Sequence, residues 1–202
     1  VMKFLSRSGV RLGYVEGGSG GNAILLVHGM RCNHTHMQPQ FDHFSRTHRV
    51  VSVDLRGHGQ SDKPADGYSN DDFNDDLVFL CNALGLKKPV GMGHSFGGST
   101  LLHLAVREPD FLGGLVLFDS GVRTPESKRG ELGPLRQMSP EDNRRFLADR
   151  LFGPDDPPSL RDKIIAEMFE VPPEVGRPMS ETVLGFDSGT AAVRCKLPSL
   201  FL

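Results

Sequence analysis

Four short, nearly continuous apolar runs constrain this chain more than any other feature: Ala23-Ile24-Leu25-Leu26-Val27, Val50-Val51-Ser52-Val53, Pro89-Val90-Gly91-Met92 and Leu115-Val116-Leu117-Phe118. Each stops at a polar residue or a glycine: His28-Gly29, Asp54, Gly93 and Asp119. A strand covered on both faces has no solvent side on which to alternate, so it reads as an unbroken apolar run, and such strands belong to parallel sheets layered between helices. Helical segments lie between them. After Ser69 and Asn70, with Asp71 and Asp72 well placed at a helix N-terminus, Phe73, Leu77, Leu80, Cys81 and Leu84 recur at helical offsets, and Gly85 ends the segment. A second helix is expected from Phe96 to about Arg107, stopped by Pro109. Alternating strands and helices predict an α/β fold with a mostly parallel sheet and right-handed crossovers.

The ends of the chain read differently. Val10 to Val15 reads as a strand after a Ser8-Gly9 turn, which predicts an N-terminal hairpin, and 16–21 as a loop. Beyond Asp119, nine of the 14 prolines fall between 125 and 178, and the helical pieces at 141–151 and 160–169 are short, which marks an irregular helical insertion. Lys196 to Leu202 returns to a strand-like run.

Composition limits the function. With 202 residues, the chain holds one core rather than two. Its 23 Lys+Arg and 25 Asp+Glu leave a net charge of −2 with no basic stripe, so neither a nucleic-acid nor a membrane partner is expected, and a small-molecule substrate fits better. Nothing in the sequence sets the oligomeric state. Three widely spaced cysteines, Cys32, Cys81 and Cys195, imply no disulfide framework. With no signal-peptide core at the N-terminus and no membrane-length apolar run, a cytoplasmic protein is expected.

Gly93-His94-Ser95-Phe96-Gly97-Gly98 carries the chemistry. It follows a strand and opens a helix, the context in which G-x-S-x-G projects a serine from a sharp, strained turn. Glycines two residues on either side let the chain pass closely, and the Phe96 N–H at the helix start can point at the oxygen of a tetrahedral intermediate. A second donor is expected from His28-Gly29-Met30, at the Met30 N–H. Together with Asp54-Leu55-Arg56-Gly57-His58-Gly59-Gln60-Ser61-Asp62, these motifs resemble the α/β-hydrolase superfamily closely over residues 10 to 120.

The resemblance implies a core at 1–120, a helical cap at 121–190 and a return to the core at 191–202. It implies Ser95 as nucleophile, Met30 and Phe96 as oxyanion donors, and His28, Gly29, Gly93, His94 and Gly97 as the supporting frame, with no metal and no cofactor. Small esterases, carbon–carbon hydrolases and cofactor-free haloperoxidases are the similar branches. Serine at the nucleophile position argues against the epoxide hydrolase and haloalkane dehalogenase branches. Asp54 to Asp62 reads as a braced loop, and Cys32, His34 and His36 as a solvated loop without a fourth metal ligand. The acids Asp71, Asp72, Asp75 and Asp76 read as an exposed helix face.

All eight histidines lie at or before position 103. The resemblance places a catalytic histidine after the cap, where none stands. His103 is eight residues along the Ser95 helix, about 12 Å away. The acid is expected after Leu202, with Asp119 as the lesser candidate. The expectation is therefore a chain cut at both ends, weak in activity alone, whose parent is a serine hydrolase acting on small esters or related carbonyl compounds. A non-catalytic ligand-binding relative, and a carbon–carbon hydrolase or perhydrolase, are the rival readings.

Overall fold

A computed structural model describes residues 1–127 and 138–202. In chain order the described elements begin with β1 (Lys3–Arg7), β2 (Val10–Gly17) and β3 (Ile24–Val27). A 3-10 turn (His34–Met37), α1 (Gln38–Phe44), β4 (Val50–Val53), α2 (Asn70–Ala83), β5 (Val90–His94), α3 (Phe96–Arg107) and β6 (Gly114–Phe118) follow. Then come α4 (Pro140–Leu151), α5 (Pro158–Met168), α6 (Pro173–Gly185), α7 (Ser188–Arg194) and β7 (Ser199–Phe201). Residues 128–137 of the expected cap fall outside the described residues.

The strands form one sheet in the order β1-β2-β4-β3-β5-β6-β7, antiparallel from β1 to β4 and parallel from β4 to β7. All four apolar runs are parallel strands of this sheet, and β3 and β4 are buried along their whole length. Their side chains divide between two layers. Leu25, Val27, Val51 and Val53 join Phe73, Leu77, Leu80, Leu101 and Leu104 of α2 and α3, while Ile24, Leu26, Val50 and Met92 meet Met37, Phe41 and Phe44 on the opposite face. That two-sided burial is why the runs do not alternate.

The register aligns the strand ends. Val27 lies beside Val53 on one side and Gly93 on the other, so the loops after β3, β4 and β5 leave the same edge of the sheet. The chain runs from β3 outward to β4, then crosses back to β5 on the other side. In parallel α/β sheets this reversal opens a crevice beyond the strand carboxyl ends, where ligands bind.

One expectation needs correcting. The exposed-face reading of the acids on α2 holds for Asp71 but fails at Asp76, which is 2% exposed and receives the Arg56 guanidinium at 2.6 and 2.7 Å, with Arg7 at 3.2 Å. Asp75 pairs with Arg7 and Arg107. Helical spacing turns these acids toward three arginines from β1, the loop after β4 and α3, pairings too distant in sequence to be visible there. Within the expected helical insertion, Pro173–Gly185 is helical despite Pro178 inside it, because burial of Val175, Met179 and Leu184 offsets the lost backbone bond. Val175 and Met179 join the same core layer as α2 and α3, and Thr182 Oγ1 donates to the Tyr68 carbonyl at 2.6 Å.

Candidate active site

Ser95 sits between β5 and α3 at φ 47°, ψ −112°, a region that a residue with a Cβ rarely enters. Sterics hold it there. A Cβ on Gly93 would come 2.5 Å from the Gly98 nitrogen, one on Gly97 2.2 Å from the Val27 carbonyl oxygen, and one on Gly98 1.9 Å from Ser120 Oγ. The turn can close this tightly only because these positions carry no side chain. The backbone is pinned as well: Ser95 N–H donates to the Phe118 carbonyl at 2.9 Å, and Ser120 Oγ donates to the Ser95 carbonyl at 3.1 Å. Ser95 Oγ has no hydrogen-bond partner among the described residues. Phe96 buries its ring edge-on against Phe73 at 5.0 Å, leaving its N–H in the first turn of α3, where the helix ladder supplies no acceptor.

The loop after β3 lies against this turn, since a Cβ on Gly29 would come 2.7 Å from His94 Nδ1. Cys32 N–H closes a turn onto the Gly29 carbonyl at 3.1 Å, with Arg31 in left-handed conformation at φ 61°. Arg31 N–H is taken by His58 Nε2 at 3.1 Å, whereas the Met30 N–H has no partner among the described residues. The structure thus places Ser95, His94, Gly29, Met30 and Phe96 on two touching loops at the carboxyl edge of the parallel strands.

His28 and His58 brace those loops. Each ring is fully buried, and the two meet edge-on at 4.8 Å. His28 Nδ1 lies 2.7 Å from the Gly29 carbonyl and must donate, while Nε2 accepts from Leu55 N–H at 3.1 Å. His58 repeats the arrangement, with Nδ1 donating to the Arg56 carbonyl at 2.9 Å. Both imidazoles are therefore neutral, and burial pulls their pKa values down to about 4 for His28 and about 3 for His58. Asp54 anchors the third loop. Its Oδ1 accepts from His34 N–H and Nδ1 at 2.7 and 2.8 Å, and its Oδ2 from Gln60 N–H at 2.8 Å. Burial pushes its pKa up, but the hydrogen bonds from His34 and Gln60 outweigh it and hold the carboxyl below the usual range.

Apart from His94, which adjoins Ser95 in the turn and packs against Gly29, the remaining histidines are placed away from the serine. His36 Nδ1 accepts from Asn33 N–H at 3.0 Å, and its Nε2 lies 3.3 Å from Glu167 Oε2 without hydrogen-bond geometry. The solvated-loop reading of Cys32, His34 and His36 is therefore corrected: Cys32 is buried and both histidines are engaged in partly buried contacts. No group of three metal-ligating side chains occurs among the described residues. His48 pairs with Thr47, His43 stacks on Phe44, and His103 pairs with Asn74 far along α3. Asp119 is exposed at the end of β6, at φ 44°, and its N–H donates to the Leu202 carbonyl at 2.9 Å.

A family described as the alpha/beta hydrolase fold matches residues 22–157. The chain belongs to that family. This α/β hydrolase is 36% identical over 116 residues to "Epoxide hydrolase 3" of Xenopus tropicalis, covering 56% of the chain and 32% of that protein. It is 34% identical over 110 residues to "2-(acetamidomethylene)succinate hydrolase" of Mesorhizobium japonicum, covering 54% and 39%. The matched stretches thus span well under half of these relatives. Among solved structures, a thermophilic esterase from Thermogutta terrifontis is 26% identical with a TM-score of 0.79, covering 99% of this chain and 77% of that one. A hydrolase from Pseudomonas aeruginosa shares the fold at a TM-score of 0.84, with 22% identity and coverage of 99% and 78%.

Two features of this α/β hydrolase escaped the sequence. One is the His28–His58 pair, 30 positions apart, whose only signal was that each lies in a motif after a strand. The other is Arg31, an arginine in a turn position where glycine is the unstrained choice. Among the described residues no helix is long and apolar enough to cross a membrane.

Proposed function

We propose that the protein is a serine hydrolase acting on a small ester or a related carbonyl compound, with Ser95 as nucleophile. The observation that carries this reading is the strained Ser95 backbone, locked by three glycines that tolerate no side chain, with Oγ left unpartnered at the crevice. Such strain persists only where the surroundings over-determine it, and it clusters at functional sites. Ser95 Oγ gives up its proton and bonds the substrate carbonyl carbon. The oxyanion is held by the Met30 and Phe96 N–H groups. The carbon–oxygen bond to the alcohol then breaks, and the alcohol leaves with a proton. Water adds to the acyl-serine and releases the acid and the free hydroxyl. No step calls on a metal or an organic cofactor.

Among the described residues no histidine hydrogen-bonds Ser95 Oγ, and this reading takes the base from none of the eight. Asp119, beside β5 at the carboxyl end of β6, has the position of an orienting acid; its charge acts on the His94 ring, but no histidine hydrogen-bonds it among the described residues. The helices within 121–190 serve as the cap that encloses a small-molecule substrate. Chemistry separates this reading from epoxide opening, despite the similarity to an epoxide hydrolase. A serine alkoxide that opened an epoxide would leave an ether, with no acyl carbon for water to attack.

Labelling with a fluorophosphonate, followed by peptide mapping, tests the proposal. The expected result is modification of Ser95, abolished in Ser95→Ala, and much slower in the 202-residue chain than in a protein carrying an added base. Label on another residue overturns Ser95 as nucleophile, and rapid labelling of the 202-residue chain overturns the claim that its histidines supply no base.

A further inference from the structure

Arg31 is partly buried, yet among the described residues no carboxylate lies within ion-pair distance of it. Arg7, Arg49 and Arg107, half-buried like Arg31, and the buried Arg56 each hold at least one acid within 3.2 Å. Its guanidinium instead lies over the Phe169 ring, 5.4 Å from the centroid, and a side chain on Gly176 would begin 3.4 Å from its Nη2. Glycine at 176 keeps that side of the guanidinium clear. Glu167, the nearest acidic residue of α5 to this loop, is engaged with Lys163 and His36. Burial alone pulls the Arg31 pKa below its ordinary value, and no neighbouring acid acts against that pull.

The backbone adds a second, independent observation. Arg31 takes φ 61° in the turn closed by Cys32 N–H and the Gly29 carbonyl, a position that glycine fills without strain. Its own N–H is spent on His58 Nε2, which leaves the preceding amide, Met30 N–H, as the open donor. One short loop thus presents an unpaired amide at residue 30 and an unpaired guanidinium at residue 31. A desolvated cation without a partner is costly unless an anion arrives to pair with it, and a guanidinium fork matches a carboxylate in two parallel hydrogen bonds.

We infer that Arg31 is the anchor for a substrate carboxylate, making the substrate class of this site an ester or related carbonyl compound that also bears a free carboxylate, such as a dicarboxylic half-ester. The inference rests on the reading of the crevice beside Ser95 as the substrate site. It goes further by assigning the charge of the substrate and the residue that selects it. Arg31 touches substrate away from the reacting carbonyl, so its removal weakens binding of the anionic compound and spares a neutral one.

The test needs no turnover. Binding of succinate and of its neutral dimethyl ester is measured by titration calorimetry on the protein, on Arg31→Gln and on Ser95→Ala. The expected result is that succinate binds the unaltered protein and Ser95→Ala alike, and binds Arg31→Gln at least about tenfold more weakly, the scale of one charge-assisted pair. The dimethyl ester should not distinguish Arg31→Gln from the unaltered protein. Equal succinate affinity with and without Arg31, or no succinate binding to the folded protein, overturns the inference. Thermal unfolding supplies a second check: Arg31→Gln should be at least as stable as the unaltered protein, whereas Arg56→Gln should be less stable. A loss at Arg31 equal to that at Arg56 would make Arg31 a structural group and overturn the proposal. Fluorophosphonate labelling of Ser95 reads the nucleophile separately, so the two readings fail independently.

Discussion

The loops after β3 and β4 and the turn after β5 leave the same edge of the sheet but are built in opposite ways. In the first two, apart from the Met30 amide and the Arg31 guanidinium, polar groups are spent on bracing the loops. His28, His58, Asp54 and Ser61 each bond to two or more groups, and the Arg56–Asp76 pair ties the second loop to α2. In the turn after β5 the shape comes from missing side chains at Gly93, Gly97 and Gly98, and the Ser95 hydroxyl stays unspent. Rigid polar networks make a frame because every donor and acceptor is satisfied. A reactive group needs the reverse, a rigid backbone with a free polar atom, and steric locking provides it.

The contrast breaks most sharply at Gly97. Gly97→Ala drives a methyl into the Val27 carbonyl at 2.2 Å, so the β5–α3 turn must open. We expect a loss of at least about 4 kcal/mol, or no folded protein, by urea unfolding monitored with circular dichroism. Retention of full stability would show that sterics do not hold the turn.

In the polar frame, Arg56→Ala should cost about 3 kcal/mol in the same measurement, because it strands the buried Asp76 with only Arg7. A loss below about 1 kcal/mol would place the frame's strength elsewhere.

Acid should act on the frame before it acts on the turn. His28 and His58 titrate near 6.5 when unfolded but near 4 and 3 when folded, so the unfolded chain binds more protons between these limits. Their contribution is complete above pH 6.5 and is lost as the pH falls through the folded values. Between pH 7 and 5.5 the unfolding free energy should drop by about 2 kcal/mol, with proton uptake on unfolding. A flat profile across this window would mean that the rings are not held neutral.

The smallest expected effect is a gain. Ser95→Gly relieves the strain at φ 47° and should raise stability by about 1 kcal/mol while abolishing fluorophosphonate labelling. Loss of stability would show that the serine side chain supports the turn.

Legibility in the sequence followed the same division. The α3 bounds, Phe96–Arg107, and the start of α2 at Ser69 were readable because caps, glycines and apolar spacing act within a few residues. The hairpin at Ser8-Gly9 was readable for the same reason, with both residues at positive φ. The 3-10 turn and α1 were not, because Met37, Phe41 and Phe44 form too short a stripe to stand out. Nor was the ion-pair hub on α2, whose arginines lie 20 to 69 positions from Asp76.

By itself the sequence determined the parallel α/β sheet and the serine turn, since apolar runs and glycines act through local sterics and burial that any neighbour would impose. Only the tertiary structure decided which polar groups are spent. It committed His28 and His58 to backbone groups of adjoining loops, buried Asp76 against Arg56, and left Ser95 Oγ, Met30 N–H and the Arg31 guanidinium without a hydrogen-bond or ion-pair partner among the described residues. The physical reason is that a hydrogen bond or ion pair depends on which partner arrives within about 3 Å, and the register of distant strands sets that distance.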